Sequence, residues 1–217
     1  NLGDHRFDDR LSDMSRAGIQ RKIAFNRSYQ DSFEAIETQK LSTVNRIDHK
    51  ILTERIASAL FRLEELREHE WNPLRYNVGD GIYNLLARDF APLSERLVSV
   101  KARLEAVPAV LAVARQNLKN PPRVHTETAI QQNPGTINLI MDELQPFLEK
   151  VPDMRPEFTG PRARAIAALE DYGRWLEEEL LPRSDGDFRL GDALYRKKLR
   201  YSLASNITPE EILATAG

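Results

Sequence analysis

Residues 180–201, LLPRSDGDFRLGDALYRKKLRY, combine more potential recognition chemistry than any other stretch of the chain. Pro182, Asp185 and Gly186 are turn formers, and Gly191-Asp192 suits the start of a helix. Tyr195 and Arg196 fall about one turn into that helix, with Arg189 just ahead of it. A hydroxyl and guanidinium groups beside a helix N-terminus can hold a carboxylate or a carbonyl. The same residues also suit a plain helix–turn–helix corner, with Phe188 packed back on the preceding helix and the aromatics sealing the core. Local chemistry favours the plain corner.

Elsewhere the residues with catalytic potential are scattered. There are four histidines, His5, His49, His69 and His125. A zincin site needs two of them one helical turn apart, in the order HExxH. The His-Glu pair here, His69-Glu70, runs into Trp71-Asn72-Pro73, with no second histidine and a proline that would spoil the helix. His125-Thr126-Glu127 could bring two ligands near one cation, but a cap or surface histidine is the better reading. The acidic runs Asp8-Asp9, Glu64-Glu65, Asp142-Glu143 and Glu177-Glu178-Glu179 have the character of solvated helix faces paired with arginines. The chain has no cysteine, which rules out disulfides and thiolate metal sites. GxSxG, P-loop and GxGxxG patterns are all missing. The residues therefore predict no catalytic centre, no metal site and no cofactor within these 217 residues.

What must position the 180–201 stretch is an all-α body. Hydrophobic residues make up 41% and charged residues 29%, and the formal charge is -2. That is the balance of an ordinary globular chain, with no bias toward nucleic acid or an anionic membrane. No apolar run reaches the roughly 18 residues of a membrane span. Residues 1–14 are polar and aperiodic and are expected to form a looped lead-in, with the helical body over 15–217. Helical character is expected from Ser15 toward Gln39. Val44, Ile47, Ile51, Leu52, Ile56, Leu60 and Leu63 recur at three- and four-residue spacing and predict a core-facing second helix that ends before Asn72-Pro73. Asp80 is the expected cap of a helix from Gly81. Pro108 predicts a break or kink, Asn120-Pro121-Pro122 a stop, and Asn133-Pro134-Gly135 an interruption. Residues 163–181 carry the clearest helical stripe. About eight helical elements with short connections make one all-α domain of antiparallel hairpins the economical architecture. The start at Asn1 and a last helix opening at Thr208-Pro209-Glu210-Glu211 suggest a piece of something longer.

The 180–201 stretch also resembles the bacterial family known as domain of unknown function 885. Its pattern is Leu180-Leu181-Pro182, Gly186-Asp187-Phe188, Leu190-Gly191 and then Tyr195. Supporting segments are Leu2-Gly3-Asp4-His5, Trp71-Asn72-Pro73, Arg103-Leu104-Glu105 leading to Pro108, and Ala114–Leu118 ahead of Pro121-Pro122. Thr208-Pro209-Glu210-Glu211 completes the set. Members of that family resemble helical zinc peptidases of the zincin type, with HExxH in the second half of a longer chain. The resemblance implies that residues 1–217 are the N-terminal lobe of a larger two-lobed helical protein and form one wall of a substrate cleft. The partners implied are the C-terminal half of the same protein, which would hold the zinc, and a peptide substrate. It also implies a periplasmic or lipid-anchored location for some members. Tyr195, Arg196, Arg189 and His5 are the candidate substrate contacts. The alternative is a non-catalytic helical protein–protein interaction module.

Overall fold

The computed structural model describes residues 4–216. Leu2 and Gly3 of the Leu2–His5 motif, and the terminal Gly217, lie outside the described residues. Every regular element among the described residues is helical, so the protein belongs to the all-α class. The helices are α1 (Arg16–Glu34), α2 (Thr43–Leu60), α3 (Gly79–Ala87), α4 (Leu93–Asn117), α5 (Arg123–Asn138), α6 (Gln145–Glu149), α7 (Arg155–Trp175), α8 (Asp192–Leu203) and α9 (Pro209–Ala216). α2, α5 and α7 each continue into a π turn, at Phe61–Leu66, Leu139–Glu143 and Leu176–Leu180. No helix among the described residues is long and apolar enough to cross a membrane.

Contacts divide the chain into two units. The first joins the described residues up to Ser15 to His69–Gly186. The second joins Arg16–Glu68 to Asp187 and the residues after it.

The first unit is organised by α4. Leu97, Val100, Leu104, Val107, Leu111 and Ala114 recur at alternating three- and four-residue steps, and all are buried. They meet Phe158, Ala165, Leu169, Tyr172 and Trp175 of α7, with α3 and α5 closing the same core. The break expected at Pro108 does not occur: α4 is continuous from Leu93 to Asn117 with the proline inside it. A proline inside a helix costs about 3 kcal/mol, whereas each buried Val or Leu contributes roughly 1.5–3 kcal/mol. With buried positions on both sides of Pro108, packing wins. α5 likewise runs through Pro134-Gly135, helped by the Asn133 amide, which donates to the Leu169 carbonyl of α7 at 2.9 Å. α7 begins earlier than the periodicity suggested, with Pro156 in its first turn, where a missing N–H does no harm. α3 starts at Gly79, and its cap comes from the Asn77 carboxamide, which accepts from the Gly79 N–H at 2.8 Å, rather than from Asp80.

The second unit is an antiparallel hairpin of α1 and α2 with α8 and α9. Ser42 caps α2 by accepting from the Asn45 N–H at 3.2 Å. His49 faces α1, where its Nε2 meets the Phe33 carbonyl at 2.9 Å and its ring lies 5.4 Å from the Phe33 ring. Arg27 of α1 pairs with Glu64 at 2.7 Å. α8 is held by Arg200–Glu54 and Lys197–Glu65 pairs, both at 2.6 Å, and by Tyr201 packed 5.3 Å from Phe61. Buried apolar side chains are few here: Ile19, Leu60, Phe61 and Leu66 among the described residues. The second helix was expected to face a core along its length. Its C-terminal end does, but Val44, Ile47, Ile51 and Leu52 are exposed.

Candidate functional site

The turn expected at Pro182–Gly186 is present and tightly fixed in the first unit. The Gly186 N–H donates to the Pro121 carbonyl at 3.2 Å, and the Asp185 N–H donates to the Asn120 side chain at 3.2 Å. Ser184 is buried, donating to the Leu180 carbonyl at 2.7 Å and sharing a 2.8 Å hydrogen bond with Thr126. Gly186 lies so close to the α4–α5 connector that a Cβ would collide with the Asn120 carbonyl oxygen. Only glycine fits there.

From Asp187 the chain belongs to the second unit, and three of the candidate contacts lie in it. Arg189 bends back on its own loop. Its N–H donates to the Asp187 carboxylate at 2.9 Å, and its guanidinium sits 4.3 Å over the Phe188 ring. Phe188 remains 55% exposed instead of packing into a core. Gly191 leads into α8 at φ 74° and ψ 162°, a region open essentially to glycine alone. Tyr195 follows on α8 and is 48% exposed.

Arg196, its neighbour, is already engaged by two carboxylates. Nε donates to both Asp192 oxygens at 2.9 Å, while Nη1 and Nη2 reach the Glu210 oxygens at 2.8 and 2.5 Å. The Glu210 hydrogen bonds, then those of Asp192, raise the guanidinium pKa, and the same guanidinium pulls the Glu210 carboxyl down to about 2. Arg196 therefore ties α8 to α9 and has little left to offer a substrate carboxylate. Asp192 lies within the 180–201 stretch, at the i,i+4 spacing of a helical ion pair, but Glu210 comes from the next helix, so nothing in that stretch signalled its half of the clamp. Thr208 and Glu211 complete the start of α9 as a reciprocal capping box, with N–H donations at 2.7 and 3.2 Å.

His5, the fourth candidate, lies in the first unit. Its Nδ1 meets the Asp8 carboxylate at 2.7 Å and its ring stacks on Phe90 at 4.1 Å. Those contacts give it a structural task in the lead-in. His125 lies 5.6 Å from the Trp71 ring, and no group of three His, Asp or Glu side chains among the described residues could hold a metal.

Two grooves in the first unit were not evident from local sequence. One, of about 200 Å³, is apolar, with Leu11, Met14, Ala106, Val110 and Val113 in its walls. The other, of about 210 Å³, brings Arg10, Arg75 and Arg103 to one side of the lead-in segment. These arginines are far apart in sequence, so no local motif marked them. Arg103 is half-buried and structural: Nε donates to the Asp8 carbonyl at 2.6 Å and Nη1 to the Gly81 carbonyl. Burial lowers its pKa. A smaller cavity of about 20 Å³ is lined in part by Tyr172, whose hydroxyl has no hydrogen-bond partner among the described residues. It has room for about one water, and burial pushes the Tyr172 phenol up.

Fold and site together define an all-helical chain with a rigid turn, an exposed aromatic-basic helix and no metal-ligand set among its described residues. The chain belongs to the family of bacterial proteins of unknown function called DUF885, whose pattern it matches over residues 1–217. It is similar to a solved structure described as "a putative lipoprotein of unknown function" from Shewanella oneidensis, with 29% identity and a TM-score of 0.88. That likeness covers 99% of this chain and 40% of the other, so these 217 residues span well under half the length of that relative. No curated protein matches the chain.

Proposed function

We propose that these residues form the N-terminal helical lobe of a zinc-dependent peptidase and supply one wall of its substrate cleft. The family match over the whole chain, in a chain that spans only 40% of a related structure, supports the lobe; the peptidase element rests on the resemblance of the family to zincin-type peptidases. The zinc implied by the family resemblance does not fit the residues described here, since no three candidate ligands converge. Its ligands and the hydrolytic step are therefore assigned to the rest of the polypeptide.

Within this lobe the substrate contacts are Tyr195 on α8 and Arg189 ahead of it, both exposed, the Arg189 guanidinium making only a long 3.4 Å contact with the exposed Asp187 carboxylate. Their chemistry suits a peptide carbonyl and a carboxylate respectively. Arg196 and His5, bound by Asp192, Glu210 and Asp8, are positioning residues in this reading. A location in the cell envelope goes with it, following the description of the Shewanella relative.

The test is elemental analysis and peptide hydrolysis on the longer natural polypeptide. About one zinc per chain, and hydrolysis abolished by a chelator, are expected. Tyr195→Phe and Arg189→Ala should raise KM with little change in kcat, as loss of uniform binding does. A longer polypeptide with no zinc and no hydrolysis would sink the reading.

A further inference from the structure

The hairpin of the second unit carries an apolar stripe on the side away from its own partner helix. His49 points at α1, as its contacts with Phe33 show. Ile47 and Ile51 stand two residues to either side of it, which on an α-helix is a rotation of roughly 200° to the opposite face. Val44 extends the same line. The three side chains are 67, 56 and 49% exposed, for Val44, Ile47 and Ile51 in turn. Branched aliphatic residues at i, i+3 and i+7 are the pattern of a covered helix face, yet the described residues leave about half or more of each exposed.

We propose that this face of α2 is where the remainder of the same polypeptide packs. Two observations select that occupant. The structure that matches 99% of this chain uses only 40% of its own length to do so, so a protein of this family carries further polypeptide. The hairpin, in turn, buries little. Its unit has Ile19, Leu60, Phe61 and Leu66 buried among the described residues, and the ion pairs that hold it are partly exposed. Such pairs are worth about 0–1 kcal/mol each, too little to offset the chain entropy of ordering two helices. A second copy is the weaker occupant. Three aliphatic side chains fall well short of the ~800 Å² per partner in a stable free-standing interface. A tethered segment, held at millimolar effective concentration, needs no such area.

The inference rests on the reading that the polypeptide extends beyond these residues, and its test needs neither zinc nor activity. These 217 residues contain no cysteine, so Ile47→Cys and, separately, Arg46→Cys each introduce one thiol on α2. Both are made in the longer natural polypeptide, and maleimide labelling of the peptide carrying the new thiol is followed by mass spectrometry. Both substitutions are at exposed positions, and circular dichroism checks that each variant keeps its helix content. The expected result is that the new thiol of Ile47→Cys reacts at least ~10-fold more slowly than that of Arg46→Cys, since access sets the rate. Equal rates overturn the proposal. Protection of the thiol in Ile47→Cys that disappears on dilution also overturns it, because the cover would then be a second copy.

Discussion

Arg196 shows how a side chain that looks free in sequence can be fully committed in the fold. Its guanidinium forks onto Glu210 and also reaches Asp192, an arrangement a lysine ammonium cannot reproduce. The consequence is readable in pH. Glu210 titrates at about 2 in the folded protein against an ordinary value of 4.5, chiefly through the Arg196 hydrogen bonds. A carboxyl whose pKa is depressed by folding favours the folded state fully above 4.5 and loses that contribution as pH falls through about 2. NMR titration should therefore place the Glu210 midpoint near 2, and the amides of α9 should lose exchange protection across that window while those of α4 keep theirs. In Arg196→Lys the midpoint should move back toward 4.5. A Glu210 midpoint already at 4.5 in the unaltered protein would mean the clamp does not hold in solution.

At the scale of elements, the corner between α3 and α4 depends on one buried charge. Arg96 is 7% exposed. It donates to the carbonyls of Ala91, Leu85 and Leu86 at 2.9–3.0 Å and to the Asp89 carboxylate at 3.0 Å. It thus satisfies the open carbonyls at the end of α3. Arg96→Ala would strand the Ala91, Leu85 and Leu86 carbonyls at roughly 1–3 kcal/mol each when buried, so urea unfolding should show a loss of about 3 kcal/mol or more. Arg96→Lys keeps the charge but not the planar fork and should recover only part of it. In sequence Arg96 looks like any surface arginine, because nothing local distinguishes a solvated guanidinium from one that caps a neighbouring helix. The turn at Pro182–Gly186 and the start of α9 were legible in local residue types. The prolines misled, since Pro108 and Pro134 are strong local breakers whose effect is overcome by burial that only the assembled core supplies. Periodicity misled in the other direction on α2. It marks a face as apolar without saying whether the covering partner lies within the same 217 residues. Of the candidate contacts, Tyr195 lies on α8 and Arg189 ahead of it, as the spacing placed them; Asp8 and Asp192 stand within four residues of His5 and Arg196, so those pairs were open to a local reading, whereas Glu210, on another helix, was not.

At the scale of the whole molecule, the chain enters each of its two units twice, so neither is a continuous stretch that synthesis could complete before the other begins. Their cores are unequal. The first unit holds the cluster that runs from Tyr76 to Leu180, with α4 and α7 at its centre. The second holds the few buried apolar residues at one end of the α1–α2 hairpin. Opening free energies within one protein range from near zero up to the global value, and they follow buried apolar contact. Hydrogen exchange on this chain should therefore divide along the same lines. Amides of Leu104, Leu111 and Leu169 should exchange only by global unfolding, with a steep dependence on denaturant. Those of Tyr29, Ile47 and Ile51 should exchange by local opening, faster by several orders of magnitude and almost independent of denaturant at low concentration. Uniform protection across both groups would mean that the hairpin is as well supported as the core, and that the ion pairs along α2 and α8 contribute far more than exposed pairs normally do.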